Sequence, residues 1–121
     1  RKGFMLFIPH FDLKSYPLAD YQEVGVMNAA HTVANAPEKI TPVLVDKLFE
    51  YVRQFTGSMR KGYMIYGHSA GGQFVQRFML FHDSPYVEKA IIVLPVGILF
   101  LIWPRHILMV RLVSPIFHLN R

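Results

Sequence analysis

A mixed α/β fold built on a parallel sheet is what this 121-residue sequence predicts, and three observations carry that expectation. Short, nearly continuous apolar runs over 3–9, 63–66 and 87–94 have the composition of strands buried on both faces. Between them stand two stretches whose apolar residues recur at helical spacing. The resulting order, strand, helix, strand, helix, strand, is that of parallel strands joined by helical crossovers.

The first run, GFMLFIP, ends at Pro9. From His10 to Lys39 the chain carries Pro17, Gly25, Asn28, Asn35 and Pro37 with no sustained period, which predicts an irregular connection with a helical turn within 20–30. Thr41 followed by Pro42 reads as an N-cap with proline at the first helical position. Leu44, Leu48, Val52 and Phe55 then recur at spacings of four, four and three before Gly57 stops the helix, with Asp46, Lys47, Glu50, Arg53 and Gln54 on its wet side. Arg60 and Lys61 lead into the second strand, which Ser69 ends. Phe74, Val75, Phe78, Met79 and Phe81 define a second amphipathic helix, broken at His82-Asp83-Ser84-Pro85. Val87 to Leu94 is β-branched enough to be a third strand.

The chemistry is concentrated in GYMIYGHSAGGQF, where a strand gives way to a helix through Gly67-His68-Ser69-Ala70-Gly71-Gly72. A serine two residues from a glycine on either side, at such a join, is a nucleophile elbow. The turn is sharp enough that Gly67 and Gly71 are expected to be crowded by neighbouring atoms, with Gly72 letting helix and strand pack closely. Ser69 itself is expected in a strained conformation with its hydroxyl clear of the sheet. The first N–H groups of the helix have no intrahelical acceptor and carry partial positive charge, so the N–H of Ala70 is placed to hold an oxyanion. A Rossmann GxGxxG and the Lys-Ser/Thr ending of a P-loop are both absent.

With FMLFIPHFD upstream and the helix LVDKLFEYVRQFTG between, the stretch GYMIYGHSAGGQFVQRFMLF resembles the central portion of an α/β-hydrolase. The likeness lies with serine hydrolases of the esterase, polyester-depolymerase and peptidase-like branch and covers roughly residues 3–92. It implies a partial hydrolase core over 1–93 and a separate apolar, basic tail over 94–121. By the resemblance, Ser69 is the nucleophile that attacks an ester or amide carbonyl, on a small molecule or a polymer, and Ala70 N–H is one oxyanion donor. His68 would shape the site. His10 and Asp12, at the end of the first strand, would line a substrate pocket, because ligands gather beyond the carboxyl ends of parallel strands. This chemistry needs neither a cofactor nor a metal. The family's second oxyanion donor comes from a loop preceding this stretch. Its acid and histidine follow the serine, where this chain offers only Asp83, Glu88, His82, His106 and His118, with His82 and Asp83 read as a solvated cap on the second helix. The chain therefore reads as a piece of a serine hydrolase, not active alone.

The formal net charge of +5 comes largely from the tail, where Arg105, Arg111 and Arg121 stand with no Asp or Glu after Glu88. Its other cations are scattered, which argues against a nucleic-acid partner. The absence of cysteine excludes disulfides and thiolate zinc sites. Together with the absence of a signal-peptide pattern it leans toward the cytoplasm without fixing the compartment. The tail admits three readings. Its apolar run is shorter than the about 20 residues a bilayer-spanning helix needs and holds Pro95 and Gly97, so a membrane or interaction segment is an alternative carried by composition alone. It can be an apolar segment with no natural partner. It can also be translated out of frame: permitted codons for 94–102, read one frame over, encode AGWYTFPD, which resembles the family's continuation. The encoding DNA decides that last point.

Overall fold

The computed structural model describes residues 3–28, 30–94, 98–103 and 106–111. Within them helices and a four-stranded sheet form a mixed α/β arrangement, with helix α1 (Leu18–Tyr21), helix α2 (Thr41–Thr56), strand β1 (Tyr63–His68), helix α3 (Ala70–Phe81) and strands β2 (Val87–Val93), β3 (Ile98–Trp103) and β4 (His106–Arg111). The sheet order is β1-β2-β3-β4. Only β1 and β2 run parallel, joined through α3 as the crossover; β3 and β4 follow as antiparallel neighbours. A fully parallel sheet was expected, and the difference lies in the tail. Its apolar residues pair with β2 and then with each other, instead of standing without a partner. Pro95, Gly97, Arg105, His118 and Arg121 fall outside the described residues.

The core forms where α3 lies across β1 and β2. Phe74, Val75 and Phe78 of the helix are buried against Val87, Ala90 and Ile92 of β2, with Val24 of the long connection closing the cluster. Burial of each large side chain contributes about 1.5–3 kcal/mol, so this helix-to-sheet contact is a principal source of tertiary stabilisation.

The expected first strand does not form. Residues Gly3 to Pro9 follow an irregular path, and Phe4 to Ile8 are between 51 and 86 % exposed. The physical reason is the lack of a partner. A strand exists only by pairing, and the free edge of β1 is separated from this run by an open groove.

Helix α2 ends as expected, with Gly57 in the left-handed region at φ 65°. Its start is shifted by one: Ile40 is the N-cap and Thr41 the first helical residue. The Thr41 hydroxyl donates instead to the Asp20 carbonyl at 2.6 Å, while Thr41 N–H donates to the Val24 carbonyl at 3.0 Å. Those two bonds tie the long connection to the helix. The buried stripe of α2 is also rotated, with Pro42 and Asp46 inside and Phe55 79 % exposed, stacked on exposed Tyr51. In the connection itself the helical turn is α1, which overlaps the start of the expected stretch and begins two residues before it, where Pro17 sets its start. A 3-10 turn at Pro37–Lys39 precedes α2.

Candidate functional site

Ser69 stands where the β1 ladder ends and α3 begins. Its N–H donates to the Val93 carbonyl at 2.9 Å, the last rung toward β2, and its carbonyl accepts from Gln73 N–H at 3.0 Å, the first turn of the helix. Serving both elements within one residue forces a sharp change of direction, and Ser69 sits at φ 55°, ψ −118°. A side chain with a Cβ occupies that region only at a cost of about 1–3 kcal/mol. Val24 and His31 share positive φ. Val24, however, has a completely buried side chain, and the His31 ring is hydrogen-bonded to Glu23 at 2.7 Å. Ser69 has no such anchor, since no group among the described residues hydrogen-bonds its hydroxyl. What imposes its conformation is the backbone on both sides. Ser69→Gly should therefore raise the melting temperature by releasing strain worth about 1 kcal/mol net of the added chain entropy; a fall would show that the serine is unstrained.

The glycines divide their work differently from the expectation. A Cβ on Gly67 would overlap the Gly71 backbone and come within 2.7 Å of Val75 Cγ2, so glycine is obligatory there. Gly72 is equally constrained, because its Cβ would lie 2.6 Å from the Val93 carbonyl oxygen. Gly71, which was expected to be crowded, is not: the nearest atom to a Cβ there is the Tyr21 hydroxyl at 3.5 Å, an ordinary contact. The close approach of α3 to the sheet is thus made by Gly67 and Gly72, a pair that clasps β1 and β2 to the first helical turn.

His68 is exposed at the end of β1, while Ser69 and Ala70 are half-buried. Ala70 is the first residue of α3, so its N–H has no acceptor within the helix. His10 and Asp12 lie in the irregular connection, both exposed. Asp12 has a structural task, accepting from Ser15 N–H at 3.0 Å and Lys14 N–H at 3.1 Å, which closes a turn. Those bonds, foremost that from Ser15, hold its carboxyl below the usual aspartate value, with nearby His10 adding a small pull in the same direction. A groove of about 720 Å³ runs along β1 and reaches Gly71 and Tyr21, but Ser69, His68, His10 and Asp12 do not line it. None of the five expected site residues, Ala70 included, therefore lines this groove.

A second polar constellation lies near the other end of the parallel pair, and the sequence did not announce it. Asp46, expected on the wet side of α2, is 8 % exposed. Its Oδ1 accepts from the Tyr63 hydroxyl and from the Ser84 hydroxyl, each at 2.7 Å, and its Oδ2 meets His82 Nε2 at 2.7 Å. Ser84 in turn accepts from Tyr86 N–H at 3.2 Å, and the Tyr86 hydroxyl donates to Glu50. His82 caps α3 as expected, its N–H donating to the Phe78 carbonyl, but its side chain is not solvated: it is a partner of Asp46 and packs edge-on against Phe78, while Asp83 is exposed. Burial, and then the bond to Asp46, push the Tyr63 phenol well above its ordinary value. Both Asp46 oxygens are occupied, so the cluster fastens α2 to β1 and to the end of α3. The only advance signal was position: Pro42, Val45, Asp46 and Phe49 also follow helical spacing, a stripe adjacent to the one that the leucines suggested.

Among the described residues no cluster of three His, Asp or Glu side chains is placed to hold a metal ion, and no helix is long and apolar enough to cross a membrane. Comparison of the chain with family models, with curated proteins and with solved structures gave no match.

Proposed function

We propose that this chain carries the nucleophile of a serine hydrolase of the α/β-hydrolase type, with Ser69 attacking an ester or amide carbonyl and Ala70 N–H receiving the developing oxyanion. One observation supports this above the others: Ser69 is held at φ 55°, ψ −118° between strand and helix, beside a glycine clasp, and no described residue bonds its hydroxyl. Strain of this kind, imposed on a reactive side chain that gains nothing from it locally, is what presentation of a nucleophile requires.

Attack would form a bond from Ser69 Oγ to the carbonyl carbon, move the carbonyl π pair onto oxygen, and release the hydroxyl proton to a base. The Ala70 amide lowers the cost of the charge on that oxygen. Among the described side chains no histidine is hydrogen-bonded to Ser69 Oγ, so they supply no acceptor for the proton, and the chain alone should turn over poorly.

Incubation with a fluorophosphonate, read by intact mass and peptide mapping, tests the assignment. The expected result is a single adduct at Ser69 that forms slowly and is accelerated by added imidazole, which supplies the missing base. An adduct that persists in Ser69→Ala, or none at any imidazole concentration, would falsify the reading.

A further inference from the structure

We propose that the free edge of β1, with the groove beside it, is an interface for a second copy of this chain, whose 3–9 run adds to it as an extended strand.

The hydrogen-bonding direction of β1 follows from its partners. Tyr63 and Ser69 donate their N–H groups to Tyr86 and Val93, on the β2 side. Backbone groups alternate along a strand, so those of Met64 and Tyr66 point the other way, off the open edge of the sheet. That edge borders the groove of about 720 Å³, whose far wall is the 3–9 run and whose floor is apolar, with Val45, Phe49 and Phe74 among its residues.

Two needs are therefore unmet in one place. Among the described residues, the edge of β1 has no backbone partner and the run GFMLFIP, which has strand composition, has no ladder. One surface offers both a strand and a slot for a strand, which is the condition for a self-complementary twofold contact. The area suffices. Phe4 to Ile8, with Met64 and Tyr66, are each 51–86 % exposed, which at about 150–200 Å² per side chain leaves roughly 800 Å² of apolar surface open. A standard interface buries about that much on each partner.

The backbone decides what kind of occupant fits. An acyl chain would match the apolar floor but would cover the outward N–H and C=O groups of Met64 and Tyr66 without bonding them, at about 1–3 kcal/mol for each group left unpaired. A peptide strand satisfies the same groups and presents alternate side chains to the floor.

Sedimentation across a concentration series, together with amide hydrogen exchange, tests this. The expected result is a two-chain species that gives way to one chain on dilution, with protection of the Met64 and Tyr66 amides rising on the order of tenfold with concentration while those of Tyr63 and Ile65 stay constant. Leu6→Lys combined with Ile8→Lys, at positions already exposed in the single chain, should leave the far-ultraviolet spectrum unchanged and abolish the two-chain species. A wild-type chain that stays single at all concentrations overturns the proposal. So does association that survives the double substitution, association without concentration-dependent protection at Met64 and Tyr66, or a single chain that instead takes up fatty acid in the groove.

Discussion

Gly67→Ala is expected to abolish cooperative folding, whereas Gly71→Ala, four residues later in the same motif, should leave stability unchanged or raise it slightly. The added methyl at position 67 overlaps the Gly71 backbone and presses on Val75 Cγ2 at 2.7 Å. Neither neighbour can yield: Gly71 lies in the first turn of α3, and Val75 is 1 % exposed in the centre of the core. Relief would require lifting α3 off the sheet, undoing the contacts of Phe74, Val75 and Phe78. Overpacking alone costs about 1–3 kcal/mol, and loss of the helix contact several more, against a total of about 5–15 kcal/mol for a small domain. Gly72→Ala should behave like Gly67→Ala, because its methyl would meet the Val93 carbonyl oxygen at 2.6 Å. At position 71 only the Tyr21 hydroxyl at 3.5 Å is near, and alanine gains up to about 1 kcal/mol of helix propensity. Denaturant unfolding of the three variants gives the comparison. Equal destabilisation at 67 and 71 would mean that the clasp is not the Gly67–Gly72 pair described here.

That contrast also marks what the sequence could and could not reveal. The turn at Ser69 was legible because its requirement is local: a strand, a helix and glycines at fixed offsets leave few backbone solutions, and Ser69 has the positive φ expected of it. Helices α2 and α3 and strands β1 and β2 were legible for the same reason, their signals lying within a dozen residues. Pairing was not. The apolar composition of 3–9 said that the run could be a strand, but a strand also needs an edge to join, and no local pattern states which edges are within reach. Likewise the tail's apolar run said nothing about running antiparallel beside β2. The role of Gly71 was misjudged because crowding depends on the tilt of α3 over the sheet, a tertiary quantity. Asp46 was misjudged because its helix offers two adjacent apolar stripes, and which one faces inward depends on Tyr63, His82 and Ser84, up to 38 residues away.

Asp46→Ala should be the most damaging substitution that leaves no steric conflict. It removes the common acceptor of three side chains and leaves the Tyr63 hydroxyl, the Ser84 hydroxyl and His82 facing one another in a nearly dry space. Removing one member of such a buried pair costs about 3–5 kcal/mol, chiefly through the groups abandoned and not through the bond lost. Asp46→Asn separates these terms. Its amide oxygen still accepts from Tyr63 and Ser84, two of the three bonds, so roughly half of the loss should be recovered. The same cluster sets an alkaline limit. Burial, with the bond to Asp46, keeps the Tyr63 phenol protonated in the folded chain above its ordinary value of 10.0. An unfolded chain releases that proton near pH 10, so the stabilisation is fully present below that pH and is lost as pH rises above it, by at most about 1.4 kcal/mol per pH unit. Tyr86, raised by its bond to Glu50, adds a smaller change of the same sign because it is solvent-exposed on that side. Denaturation midpoints from pH 8 to 11.5 should therefore fall above about pH 10 in the wild-type chain, and Tyr63→Phe should flatten the fall while lowering the plateau. An unchanged alkaline slope in Tyr63→Phe would show that the phenol is not held by Asp46, and the fastening of α2 to β1 would have to be sought elsewhere.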